Sequence, residues 1–193
     1  MQLQLISALA FGLGLSIGSV GAQEAPHSAN YHGHASSYAG LEAREIKSLS
    51  GEDIEALREG RGWGLALAAE LNGMPGPAHL LELKDELGLS EDQVRAIEAI
   101  HAEMRAEAIA AGERFMAAEA ALDTAFAAGD LDEERLWHLI DAAEAARGDL
   151  RFVHLSRHLS TPPLLTRNQI RLYSELRGYG SGACSEAEGT QCH

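Results

Sequence analysis

The sequence predicts an all-α protein: a long antiparallel helical hairpin with short flanking helices, dimerising to complete a narrow core. Three observations predict it. Residues 91–128 carry apolar side chains at three- and four-residue steps without a proline, and a second such stretch runs to about residue 159. Only the short segment "AGDLDEE" separates the two, so they should pack back to back. Finally, the pentapeptide L-[ST]-x-x-Q occurs twice, as Leu89-Ser90-Glu91-Asp92-Gln93 and as Leu165-Thr166-Arg167-Asn168-Gln169.

Taken in order, residues 1–22 carry no charged side chain, and "LISALAFGLGLSIGSV" is an apolar run ending near the small residues Val20-Gly21-Ala22. This reads as a signal peptide cleaved after Ala22, with an uncleaved N-terminal anchor as the alternative. Either way the remainder is exported, which points to the periplasm. Residues 23–40, with His27, His32 and His34 among small polar residues, have no apolar period and read as a flexible linker. Residues 41–74 hold short helices. Ser50 followed by Asp53 is a helix start, and "GWGLALAAELNG" is a short apolar stretch closed by Asn72-Gly73. Residues 75–178 form the hairpin domain. It opens on Pro75-Gly76-Pro77, followed by a helix of two to three turns over "AHLLELKDELG". Residues 179–193 form a flexible tail containing Cys184 and Cys192, which can close a short local disulfide in an oxidising compartment or, with His193, take a metal.

The repeated pentapeptide has a physical meaning. The Ser or Thr oxygen accepts from the backbone N–H three residues on, and the Gln side chain reaches back to the N–H of the cap. The preceding leucine acts as a hydrophobic staple. The motif therefore marks helix starts near residues 91 and 167. Asp130 with Glu133 is a further cap pair, opening the second hairpin helix.

The predicted stripes are Val94, Ile97, His101, Met104, Ala108, Phe115, Leu122 and Phe126 on the first helix. On the second they are Leu136, Ile140, Ala143, Ala146, Leu150, His154 and His158, with Arg147 on the same side. Histidines in an apolar stripe are candidates for chemistry. With a turn centred near residue 130, partners on the two helices have numbers summing to roughly 260. His101, Met104, His154 and His158 then fall at one level on facing sides. Three imidazoles and a thioether within reach of one another suit zinc, copper or nickel, the sulfur favouring copper. Against this stands the plainer reading of half-exposed histidines making ordinary hydrogen bonds. Glu98 lies at the stripe's edge. His79, on the preceding helix, and His138, near the turn, are weaker candidates.

The chain carries a net charge of −14, which argues against nucleic acid and anionic membrane surfaces as partners. It suits metal cations or basic polypeptides. No nucleophile elbow, glycine-rich phosphate loop or H-E-x-x-H is present, so an enzyme is not expected.

The export signal, the hairpin and the two L-[ST]-x-x-Q boxes resemble the Spy/CpxP-like (LTxxQ motif) periplasmic family, including the CnrX- and ZraP-like periplasmic heavy-metal-binding proteins. The resemblance covers about residues 75–178. The second box matches fully, and the first has Ser90 in place of Thr. It implies an all-α homodimer of hooked hairpins acting in envelope stress, as a heavy-metal sensor or resistance protein. Partners would be an envelope signalling protein or, in the chaperone members, unfolded clients held without ATP. It also implies a metal-binding His-x-x-x-Met pair on the second hairpin helix, to which His154 and His158 correspond with His in the Met position. The glutamate ligand expected on the first long helix falls near His101. The N-terminal His-x-x-x-His of the nickel sensor has no match, His79 being the nearest residue.

Overall fold

The computed structural model describes residues 36–179. The expected signal segment, most of the 23–40 linker, and the cysteine-containing tail beyond Tyr179 lie outside the described residues. The chain is all-α. Its helices are α1 (Gly51–Glu59), α2 (Leu67–Glu70), α3 (Pro77–Glu82), α4 (Glu91–Ala128), α5 (Glu133–Ser160) and α6 (Arg167–Leu176). Three-residue 3-10 turns at Leu41–Ala43 and Pro162–Leu164 complete it, and the extended pairing among the described residues is one isolated bridge between Ile46 and Leu49. None of these helices is long and apolar enough to cross a membrane.

The two long helices start and stop for local reasons. Ser90 caps α4: its hydroxyl accepts from the Gln93 N–H, and the Gln93 side chain accepts from the Ser90 N–H at 2.9 Å. Thr166 and Gln169 do the same for α6. Ser50 and Asp53 form a third box on α1. Gly129 ends α4 with φ of 73°, a conformation that favours glycine. The cap of α5 is Asp132, which accepts from the Arg135 N–H at 2.8 Å, rather than the Asp130 expected; Asp130 instead pairs with the Arg135 guanidinium. The helix expected to run to Gly88 stops at Glu82, and residues 83–88 continue as hydrogen-bonded turns.

α4 and α5 pack as the antiparallel hairpin. The cross-hairpin ion pairs Glu107–Arg157 and Arg114–Asp149 set its register about one helical turn away from the sequence estimate. Two apolar clusters hold the fold. The first sets Ile46, Leu49, Ile54, Leu57 and Leu65, from the segment before the hairpin, against Ala108, Ala111, Phe115, Met116 and Leu150. The second gathers Leu80, Leu87, Ile97 and Tyr173, with the two staple leucines Leu89 and Leu165 packed against it. The short helices of residues 41–74 are therefore part of the core.

The stripes depart from expectation at the turn end. Phe126 is 61% exposed and Ile140 36%, because the α1 segment covers only the middle of the hairpin. Arg147 is exposed and reaches Glu144.

Candidate functional site

A cavity of about 350 Å³ opens between the 62–79 segment and the hairpin. On α4 it reaches Met104, which lies between Ile97 of the second cluster and Ala108 of the first. Its walls combine apolar surface from Trp63, Leu67, Pro77 and Met104 with the polar groups of Glu70, His79, His154 and His158. Three of the four residues singled out in the sequence, Met104, His154 and His158, meet here. His101 does not line the cavity; it is half-buried, and the observed register carries it past the level where α5 ends. His79, which the sequence could not place, does line it, with its Nδ1 at 2.9 Å from Glu82 Oε2. His138 is exposed near the hairpin turn.

The two α5 histidines have different environments. His158 is buried, and its Nδ1 donates to the carbonyl of Met74 at 2.7 Å. That bond assigns the proton to Nδ1 and leaves the Nε2 lone pair free. A ligating histidine is commonly oriented by a backbone carbonyl in this way. The Cε1–Nε2 side of the ring packs against Gly76: a Cβ on that residue would come to 2.5 Å from His158 Cε1, 2.6 Å from its Nε2 and 3.3 Å from Glu70 Oε1. Glycine at this position makes room for the His158 ring, which any side chain there would displace. His154, one turn earlier, is only 2% exposed, yet its Nε2 has no hydrogen-bond partner. An unpartnered buried nitrogen carries a desolvation cost, and such atoms are few in folded proteins. Burial first, then the neighbouring His158 and Arg157, hold its imidazole below the usual histidine range, so the neutral, lone-pair form is favoured.

Glu70 is the residue sequence reasoning missed. It is 7% exposed, at the end of α2. Its Oε2 accepts from the buried Tyr173 hydroxyl at 2.5 Å, and its Oε1 stands 3.8 Å from His158 Nδ1. Burial, followed by the bond to Glu70, pushes the Tyr173 phenol far above its usual value, so it acts as a fixed donor. The signal was present in "LALAAEL", where one acid interrupts an apolar run.

The donor set of two imidazoles with available nitrogens, a thioether and a buried carboxylate suits a late first-row metal. As the side chains stand, no three His, Cys, Asp or Glu among the described residues are gathered in an arrangement that holds a metal ion. Nevertheless, the orphaned His154 Nε2 and the chemistry of the donors on this cavity fit such an ion, which His154, His158 and Met104 would hold.

The chain matches no family model, no curated protein and no solved structure.

Proposed function

We propose that this is an exported, metal-binding protein of the cell envelope, a heavy-metal sensor or resistance protein of the Spy/CpxP-like type. The observation that carries the reading is His154 Nε2, buried without a partner on the cavity that also receives His158 and Met104. A structural histidine would normally satisfy both ring nitrogens; a ligand histidine must keep one free. The two capping boxes and the hairpin between them support the family part of the reading. Calorimetric titration of the purified protein with zinc, copper and nickel tests it, with the His154→Ala/His158→Ala double variant alongside. Tight stoichiometric uptake lost in the variant is expected. Absence of uptake, or uptake unchanged in the variant, refutes it.

A second reading, an ATP-independent chaperone acting as a dimer, is favoured by a separate observation. Trp137, Phe152 and Leu159 are 71%, 70% and 68% exposed on α5. At about 100° per residue they share a narrow sector facing away from Leu150 and His154. Exposed apolar side chains on one side of a helix suit a second copy of the chain or an unfolded client. Suppression of client aggregation without metal, weakened by Trp137→Ser/Phe152→Ser, is the outcome this reading requires.

A further inference from the structure

We infer that the outer face of α5 binds a second copy of the chain, with the two helices antiparallel and crossing at Gly148. The inference is independent of the metal reading; it rests on the dimer of the second reading and gives that dimer a definite interface. The face is open: Trp137, Phe152 and Leu159 are exposed on it, and a Cβ built on Gly148 meets nothing within 4 Å. At about 100° per residue all three side chains fall within about 40° of Gly148, turned away from the buried Leu150 and His154.

What selects the occupant is that this face is its own complement. A two-fold interface presents the same patch on both copies, so that residue i meets j and j meets i. When two copies of α5 cross antiparallel at Gly148, a residue some places before Gly148 meets the residue as many places after it in the other copy. Trp137 lies 11 residues before Gly148 and Leu159 lies 11 after it, so each indole meets a leucine of the other copy, once at each end. The flanks match as well. Glu144 and Arg151 lie on one flank, about 40° and 60° from the Gly148 line. They stand four places before Gly148 and three after it. The two-fold keeps each flank on its own side, so Glu144 of one copy faces Arg151 of the other, twice over. Both are available: Arg151 has no ion-pair partner among the described residues, and Glu144 is held only by the exposed pair with Arg147 at 3.8 Å. Phe152 and the exposed Ala145 stand in the same relation on the opposite flank, where the ring covers the methyl. At the crossing itself neither copy carries a side chain, so the backbones can approach closely. An unfolded client would call for the apolar side chains alone. Opposite charges at symmetry-related positions on the same face are what a second copy requires.

The test is sedimentation equilibrium of the purified protein in the presence of a chelator. The proteins compared are wild type, Gly148→Lys, Arg151→Glu and the exchange Glu144→Arg/Arg151→Glu. A side chain at position 148 meets nothing within a single copy, so Gly148→Lys should keep the wild-type helical circular dichroism. It sets two cations face to face at the crossing and should raise the dimer dissociation constant about tenfold or more. Arg151→Glu brings two acids together on each symmetry-related flank and should weaken the dimer about tenfold, while the charge exchange should recover most of that loss. A monomeric wild type overturns both the interface and the dimeric reading. A dimer that Gly148→Lys leaves intact, or that the exchange fails to restore, overturns the interface alone.

Discussion

Gln93 and Gln169 exchange side-chain hydrogen bonds: each amide nitrogen donates to the other's carbonyl oxygen, at 3.0 and 3.1 Å. The two copies of the pentapeptide therefore meet in space, and their repetition is a matched pair. Each oxygen also accepts from the N–H of its own cap, at 2.9 Å in both boxes. Gln93 further donates to the Leu164 carbonyl at 2.8 Å, and Gln169 to that of Gly88 at 3.4 Å. Glutamate can serve a capping box as well as glutamine. It cannot donate, so only glutamine serves both the cap and the clamp.

Gln93→Glu isolates that difference. The cap on α4 survives, while two donations are lost and a carboxylate faces the Gln169 and Leu164 oxygens. A loss of about 2–3 kcal/mol is expected from urea denaturation. In a cycle with Gln169→Ala, Gln93→Ala should show coupling of about 1 kcal/mol. Additive effects would show that the clamp contributes nothing to stability.

Much of this architecture was legible because it is local. Ser90, Thr166 and Ser50 announce helices through residues three positions away, and the stripe from Ile97 to Phe115 follows from helical period alone. The clamp was not legible, since no local rule says that two distant caps touch. The register was only roughly legible: a one-turn error left Met104 in the site and carried His101 out of it. Glu70 and Tyr173 escaped because their partnership joins α2 to α6 across 103 positions of sequence, and no local rule pairs residues that far apart.

Gly112 looks like a weak point inside a 38-residue helix, where alanine would ordinarily gain about 1 kcal/mol. Here a Cβ would meet the Leu57 carbonyl oxygen at 3.0 Å and the Leu57 Cβ at 3.4 Å. The oxygen belongs to the backbone of α1 and cannot swing aside. Gly112→Ala should therefore destabilise by about 1 kcal/mol. Gly148, on α5, has nothing within 4 Å of a built Cβ, so Gly148→Ala should stabilise by about 0.5–1 kcal/mol. Thermal melts of the two variants moving in the same direction would contradict the packing of α1 on α4.

Asp53 gives the fold an acid-sensitive joint. Its carboxylate accepts from the Ser50 hydroxyl at 2.6 Å, the Trp63 indole at 2.7 Å and the Ser50 N–H at 2.8 Å. The Ser50 hydroxyl first, then Trp63, hold it below the usual carboxylate range. A carboxyl group depressed on folding contributes stability that is complete above its unfolded value, about 3.9, and is lost as pH falls through the folded one. Asp53→Asn should cost about 1 kcal/mol at neutral pH, with the stabilities of variant and wild type converging in acid. Curves that stay parallel below pH 4 would remove Asp53 as the cause.

Gly76 separates the close packing around His158 from backbone preference. Its φ of −96° and ψ of 163° are open to alanine, so any effect of Gly76→Ala is steric. The new methyl would come to 2.5 Å from the His158 Cε1 and 2.6 Å from its Nε2, forcing the ring from its bond to Met74. A destabilisation of about 1–3 kcal/mol is expected, together with loss of metal uptake. In a His158→Ala background the obstructing ring is gone, and Gly76→Ala should then cost much less. Urea denaturation of the four proteins in this cycle checks it, because the two effects must be strongly non-additive if imidazole and methyl compete for one space. Additive costs would mean that the His158 ring does not pack against Gly76, and the cavity would lose a donor on which its proposed chemistry depends.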